Sequence, residues 1–327
     1  MLSFRNFIIA GFVAFGLLAS APVAVFAEEE AAKPEAAAPA AAADVGKSAA
    51  TAEAEAKEEA AARAAFDKLL VHGPNKVKLG NQATLDLPPG FSFIPKEQAL
   101  AVMEHMGNHM DAENFYGLII SGDEKQKWFV AASFDDSGFI KDDDQSSIDA
   151  DKILEGMQQG LKEDNADRKA QGVSQLEIVG WIEKPHYDPA KHQLIWSIEA
   201  KEVGGTEPLP ADNAVNYNTF ALGRGGFISL NLVTSTTDVA NDKKAIAALL
   251  QNLVFEEGKK YENFDPKTDK VAEYGLMALI GGIAAKKLGF FALAAAVLAK
   301  SAKALVVVAI AAAAAAKKFF KRRDPTV

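Results

Sequence analysis

Three short runs hold the residue types best suited to chemistry. Met103-Glu-His-Met-Gly-Asn-His-Met110 places His105 and His109 four apart, on one face if the run is helical. With Met106 and Met110 alongside, that imidazole and thioether set would suit copper. Gly107-Asn108 stands between the two histidines, so the competing reading is a helix end with Met in the core and His at the surface. Asp135, Asp136, Asp142, Asp143 and Asp144 supply oxygen ligands for Ca²⁺ but lack the EF-hand spacing, its placed glycine and its terminal glutamate. They read better as a solvated loop leading to a helix N-terminus, where negative charge is favoured. Leu222-Gly-Arg-Gly-Gly226 matches neither the Walker nor the dinucleotide pattern and reads as a hairpin turn, with Arg224 available to an anion.

A fourth set depends on the fold. Trp128, Trp181, Trp196, Tyr217 and Phe227 fall on expected strands, where core packing explains them. A fold that gathered Trp181, His186, Tyr217 and Arg224 would give a ligand cleft; a fold that scattered them would not. There is no G-x-S-x-G and no H-E-x-x-H, and the 327 residues contain no Cys. A disulfide scaffold, a thiol nucleophile, a thiolate metal site and a lipidated cysteine are all excluded. The sequence therefore assigns no catalytic residue and no cofactor, and reads as a non-enzyme rather than an enzyme. A small-ligand or enzymatic cleft and a His/Met metal site stand as the alternatives.

The elements that must position these residues follow from patterning. Val77–Leu79 and Ala83–Leu87 alternate around Gly80-Asn81, a hairpin signal. Pro88-Pro89-Gly90 ends that unit, Phe91–Ile94 is a short strand, and Pro95 suits the first turn of a helix to about Met106. Tyr116–Ser121 and Trp128–Phe134 are rich in aromatic and β-branched residues and read as strands. A long helix runs from Asp149 to about Gln171. Strands follow at Leu176–Glu183, Leu194–Val203, Asn213–Leu222 and Phe227–Thr236, then a helix at Val239–Leu253 and a short strand at Val254-Phe255. Consecutive strands with helices between groups predict an α+β fold with a largely antiparallel sheet and packed helices.

Charge divides the chain. Residues 28–65 carry −5, residues 66–270 carry −12 and residues 271–327 carry +7, within a net −9. That balance makes nucleic acid an unsuitable partner. Arg5, the apolar run Phe7–Ala19 and the small residues at Val25-Phe26-Ala27 have the layout of a signal peptide, residues 1–27. Residues 28–65 are half alanine, a linker; residues 48–70 read as a solvated helix that docks through Phe66, Leu69 and Leu70. Residues 66–270 form the extracytoplasmic domain. Residues 271–327 hold three apolar blocks separated by Lys286-Lys287 and by Lys300 and Lys303. As one helix, Tyr274–Ala316 would extend about 65 Å, roughly twice the hydrocarbon core, so a span over about residues 301–320 with the basic end in the cytoplasm is the expectation. Its concern is that alanine inserts weakly. The expected location is the cytoplasmic membrane, the domain outside and the tail inside, with membrane lipid and membrane or envelope proteins as partners.

Several stretches together resemble a known set of sequences: Leu87-Pro-Pro-Gly-Phe91, Phe134-Asp-Asp-Ser-Gly-Phe-Ile-Lys-Asp-Asp143, Asp149-Ala-Asp-Lys-Ile-Leu154, Trp181 with Pro185-His-Tyr-Asp188, Leu194-Ile-Trp196, Val215-Asn-Tyr217, Leu222–Gly226 and Asp269-Lys-Val-Ala-Glu-Tyr-Gly-Leu276. They resemble an uncharacterised family of bacterial envelope proteins anchored in the membrane, a domain of unknown function, over about residues 70–300. The resemblance implies a signal peptide, an extracytoplasmic domain and a C-terminal membrane segment, and implies no activity. The element order also looks like the small α+β sandwiches of the PsbP and Mog1 type, a likeness of fold that carries no function.

Overall fold

The computed structural model describes residues 57, 61 and 63–281, apart from 106–109, 124, 171–174 and 204–211. The expected signal peptide and C-terminal span lie outside the described residues, as do most of the linker and His109. Among the described residues, no helix is long and apolar enough to cross a membrane.

Strand β1 (Val71–His72), β4 (Phe91–Pro95), β5 (Phe115–Ser121), β6 (Phe129–Asp135), β7 (Leu176–Asp188), β8 (Gln193–Glu202), β9 (Ala214–Gly223) and β10 (Gly226–Ser235) form one antiparallel sheet in the order β1-β4-β5-β6-β10-β9-β8-β7. A smaller sheet, β11-β3-β2, joins β2 (Asn75–Leu79), β3 (Ala83–Leu87) and β11 (Leu253–Phe255). Among the described residues, helices are α1 (Lys96–His105), α2 (Ala150–Ala170), α3 (Val239–Gln251) and α4 (Leu276–Gly281), and residues 63–67 are also helical. This is the mixed α and β architecture with a large antiparallel sheet that the patterning predicts. Several element ends shift by one or two residues, and two differences have a local cause. Pro95 closes β4 and the helix begins at Lys96. Strand β7 runs five residues past Glu183, because three register shifts against β8 let it continue through Pro185.

Successive strand residues point to opposite faces, so each face of the large sheet has its own cover. Phe93, Ile119, Val130, Ala132, Phe134, Val215, Tyr217, Ile228, Leu230 and Leu232 form one face. The small sheet closes over it with Val77, Leu79, Leu85 and Leu87, and α3 adds Ile246 and Leu249. The strict alternation of β2 and β3 exists because only one side of the small sheet meets this core. The opposite face carries two separate cores. Helix α1 covers Ile94, Phe115, Leu118, Phe129 and Ala131. Helices α2 and α4 cover Leu194, Trp196, Ile198, Phe220, Leu222 and Phe227. Phe66 and Leu70 pack against the α1 core, as expected of the docking helix. Burying one such large apolar side chain contributes about 1.5–3 kcal/mol.

Candidate functional site

The four cleft candidates occupy three places. Trp181 faces the α2 side and donates its indole N–H to the Ala150 carbonyl at 3.1 Å, pinning the first turn of α2 to the edge strand. Tyr217 faces the α3 side and donates to Glu183 Oε2 at 2.8 Å. Burial, and then that carboxylate, push its phenol well above the ordinary tyrosine value. His186 Nδ1 lies 3.6 Å from Glu183 Oε1, and Lys243 Nζ lies 3.6 Å from Glu183 Oε2. The structure thus brings Tyr217 and His186 to one carboxylate, Glu183, which the sequence reading passed over. Arg224 is at the far β9–β10 hairpin. His105 is the last residue of α1. Among the described residues, no group of three or more His, Asp or Glu is placed to hold a metal.

The densest polar geometry is at the hairpin end of the sheet. Gly226 has φ +151°, and a Cβ there would sit 1.7 Å from the Asp135 carbonyl oxygen, so this turn accepts glycine alone. The turn aims Arg224 at Asp269, with Nε to Oδ2 at 2.7 Å and Nη2 to Oδ1 at 2.8 Å, a bidentate pair. Asp269 also accepts the Asp265 amide at 2.8 Å. Arg224, and then that amide, hold its carboxyl well below the usual aspartate range. Beside the pair lies a cleft of about 310 Å³ lined by Asp136, Gly138, Arg224, Gly258, Lys259 and Lys270, among others.

The acidic loop beyond β6 is fastened here residue by residue. Asp135 Oδ1 accepts the Ser137 amide at 2.9 Å and faces the Tyr274 hydroxyl at 3.5 Å. Burial pushes the Tyr274 phenol up to about 12, and Asp135 adds to the rise. Phe139 bridges Val271 and stacks on Phe264 with ring centroids 3.8 Å apart. Asp142 Oδ2 accepts from the Tyr187 hydroxyl at 2.9 Å, and the same hydroxyl oxygen lies 3.0 Å from His192 Nδ1. Since the one phenolic proton goes to Asp142, the oxygen accepts from Nδ1–H of the imidazole. His192 holds φ +51°, stacks on Tyr261 at 4.0 Å and lies 3.4 Å from Glu262 through Nε2. Asp144 accepts the Leu276 and Met277 amides at 3.0 and 3.1 Å, one on each carboxylate oxygen. In the chain the carboxylates lead, as expected, to the start of α2, where Asp149 Oδ1 accepts the Lys152 amide at 3.2 Å, and Asp144 in addition caps α4, 132 residues on. Asp135 and Asp144 act as backbone acceptors, and Asp142 as the acceptor of a phenol.

Four of the stretches quoted for the resemblance meet at this end: Phe134–Asp143, Pro185–Asp188, Leu222–Gly226 and Asp269–Leu276. Residues 71–312 match the model of a family described as "Protein of unknown function (DUF2167)". The chain belongs to that family. A search of curated proteins finds no match. Among solved structures, the chain is similar to the solution structure of cyanobacterial PsbP (CyanoP) from Synechocystis sp. PCC 6803, at 11% identity and a TM-score of 0.33, over 56% of this chain and 92% of that one. The family's shared region thus contains both the sheet and the fastened segment.

Sequence reasoning missed the partners here, not the residues. The sequence points to Arg224, Asp142 and Asp144. Glu262 gives no signal, and the partners of Asp269, Tyr187 and His192 stay hidden, because the contacts that unite these residues reach from five residues (Tyr187 to His192) to 70 (His192 to Glu262).

Proposed function

We propose that the chain is exported and that its α+β domain is held at the outer face of the cytoplasmic membrane by the stretch that follows Gly281. There it acts without catalysis, through lipid or protein contacts in the envelope. One observation carries the proposal. Helix α4 is mounted on the domain: Asp144 caps its first amides, and Leu276, Leu279 and Ile280 are buried at 0–1% exposure beside Phe227 and Ile140. The chain therefore enters its basic, apolar C-terminal stretch from a fixed point on the domain rather than from a slack tether. At the same end, the Arg224 cation is engaged by Asp269 and the Asp142 and Asp144 carboxylates by backbone and phenol, which suits a mount better than a reaction centre.

A reporter fused after Val327, with protease accessibility of residues 66–270, tests it. The expected result is a cytoplasmic reporter and an outside domain. A reporter on the same side as the domain would overturn the single-span arrangement, and a domain protected inside the cell would overturn export.

A further inference from the structure

Between the two cores on the helix-covered face runs a seam of neutral polar side chains. Cross-strand register fixes its course. Ser133 of β6 is opposite Ser229 of β10; Asn231 of β10 is opposite Asn218 of β9; Asn216 of β9 is opposite Val233. Paired residues share a face, and these alternate with Ile228, Leu230 and Leu232, which face the small sheet. Ser133, Ser229, Asn231, Asn218 and Asn216 therefore trace a diagonal across three adjacent strands, about 16 Å long from strand spacing and rise. Phe115, Phe129, Ala131 and Val233 wall it on the α1 side, and Trp196, Ile198 and Phe220 on the α2 side.

The seam is closed and its hydrogen bonding is unfinished. Ser133 is 4% exposed, Ser229 0%, and Asn216 and Asn231 3% each. Asn231 donates through Nδ2 to Asn216 Oδ1 at 3.5 Å, at the long limit of such a bond. That leaves Asn216 Nδ2, Asn231 Oδ1, Ser133 Oγ and Ser229 Oγ without a partner in the protein. Buried polar atoms are almost always paired, because leaving one unpaired forfeits its hydration. Here four lie on contiguous strands of one face, at the centre of the largest sheet. A folded protein that kept all four unpaired would be at a clear disadvantage to one carrying valine or alanine in their place.

We propose that the seam is a buried binding site for neutral hydroxyl groups, either ordered water or the hydroxyls of a small uncharged ligand in its place. The unpartnered set includes an amide donor, a carbonyl acceptor and two serine hydroxyls that serve as either. A hydroxyl oxygen both donates and accepts, and so answers every member of that set. A charged ligand would find no counter-charge, because the nearest acid on β6, Asp135, is engaged with Ser137 and Tyr274. A purely apolar ligand would leave all four atoms unanswered.

The test uses the full chain purified in detergent. A structure that shows ordered solvent is expected to place density within hydrogen-bond distance of two or more of the four atoms; its absence there overturns the proposal. The variant Ser229→Ala gives an independent readout whose sign decides. If bound hydroxyls satisfy Ser229, removing its Oγ lowers the melting temperature by about 2–4 °C. If the Oγ is unpaired, the same change raises it, and the proposal fails. Titration with glycerol separates the two sources. A saturable rise in melting temperature that Ser229→Ala loses identifies a site open to organic hydroxyls. A rise equal in both proteins is solvent exclusion and leaves water as the occupant.

Discussion

Two aspartates at the residue scale are set apart by their surroundings, and pH should separate them. Asp269 is held in its charged form by Arg224, so its folded-state value falls below the ordinary 3.8. A depressed carboxyl contributes stability that is complete above the ordinary value and is lost as pH falls through the depressed one. Asp269→Asn is expected to lower the melting temperature by a few degrees at pH 7, with the gap to wild type closing below about pH 4. A gap that persists unchanged at about pH 2 would show that the pair does not act through charge. Asp242, in the first turn of α3, is the opposite case. It is 5% exposed and accepts the Thr234 hydroxyl, and burial raises its value. Stability from a raised carboxyl is complete below 3.8 and is lost as pH rises. Asp242→Asn keeps an oxygen for Thr234 and removes the buried charge. It is expected to melt higher than wild type at pH 7, by about 2–4 °C for each kcal/mol recovered, and equally below about pH 4. Neither behaviour was legible in the sequence. Asp269 and Asp242 look like any other acid there, and their differences come from Arg224 across 45 residues and from the closing of α3 over the sheet.

Elements were the most legible scale, where local chemistry decides alone. Gly80 at φ +59° turns the β2–β3 hairpin, and Gly223–Gly226 turns β9 into β10, both as the turn residues predict. Gly226→Ala is expected to be incompatible with the fold, since its added carbon meets the Asp135 carbonyl; the readout is loss of soluble, cooperatively melting protein. What local pattern could not show was the length of β7, because register shifts reset its alternation, or that α4 begins at Leu276, a point set by a residue 132 positions earlier. Asp144 caps α4 from the outside. Asp144→Ala should cost about 1 kcal/mol, the usual value of a lost cap, and lower the melting temperature by about 2–4 °C. Asp143→Ala, at the neighbouring exposed position, should leave it unchanged.

The described residues form three cores on two faces of one sheet, and the same strands serve more than one of them. Strand β6 gives Val130, Ala132 and Phe134 to one face and Phe129 and Ala131 to the other. Unfolding should therefore be a single cooperative event. Trp128 reports the core under the small sheet, and Trp196 reports the core under α2. Trp128→Phe and the pair Trp181→Phe with Trp196→Phe leave one reporter side each, and both fluorescence midpoints should coincide with the loss of circular dichroism. Separate midpoints would mean that the cores melt independently. The fold class was legible because periodicity reports burial on each face. The division of one face into two cores by a polar seam was not, because Ser and Asn at strand positions look the same whether they face solvent or lie sealed inside. The order of the chain adds a consequence for synthesis. Strand β11 looks like a natural end to the domain, yet Tyr261, Leu276, Leu279 and Ile280 complete the α2 core, and Asp269 secures the hairpin at Arg224. A polypeptide emerging from its N-terminus would carry all eleven of the described strands before the residues that lock them appear. The last to arrive lie just ahead of the apolar stretch. Completion of the domain is thereby timed to the moment its C-terminal stretch begins to be made, and a truncation at Phe255 should yield a chain that waits unfinished.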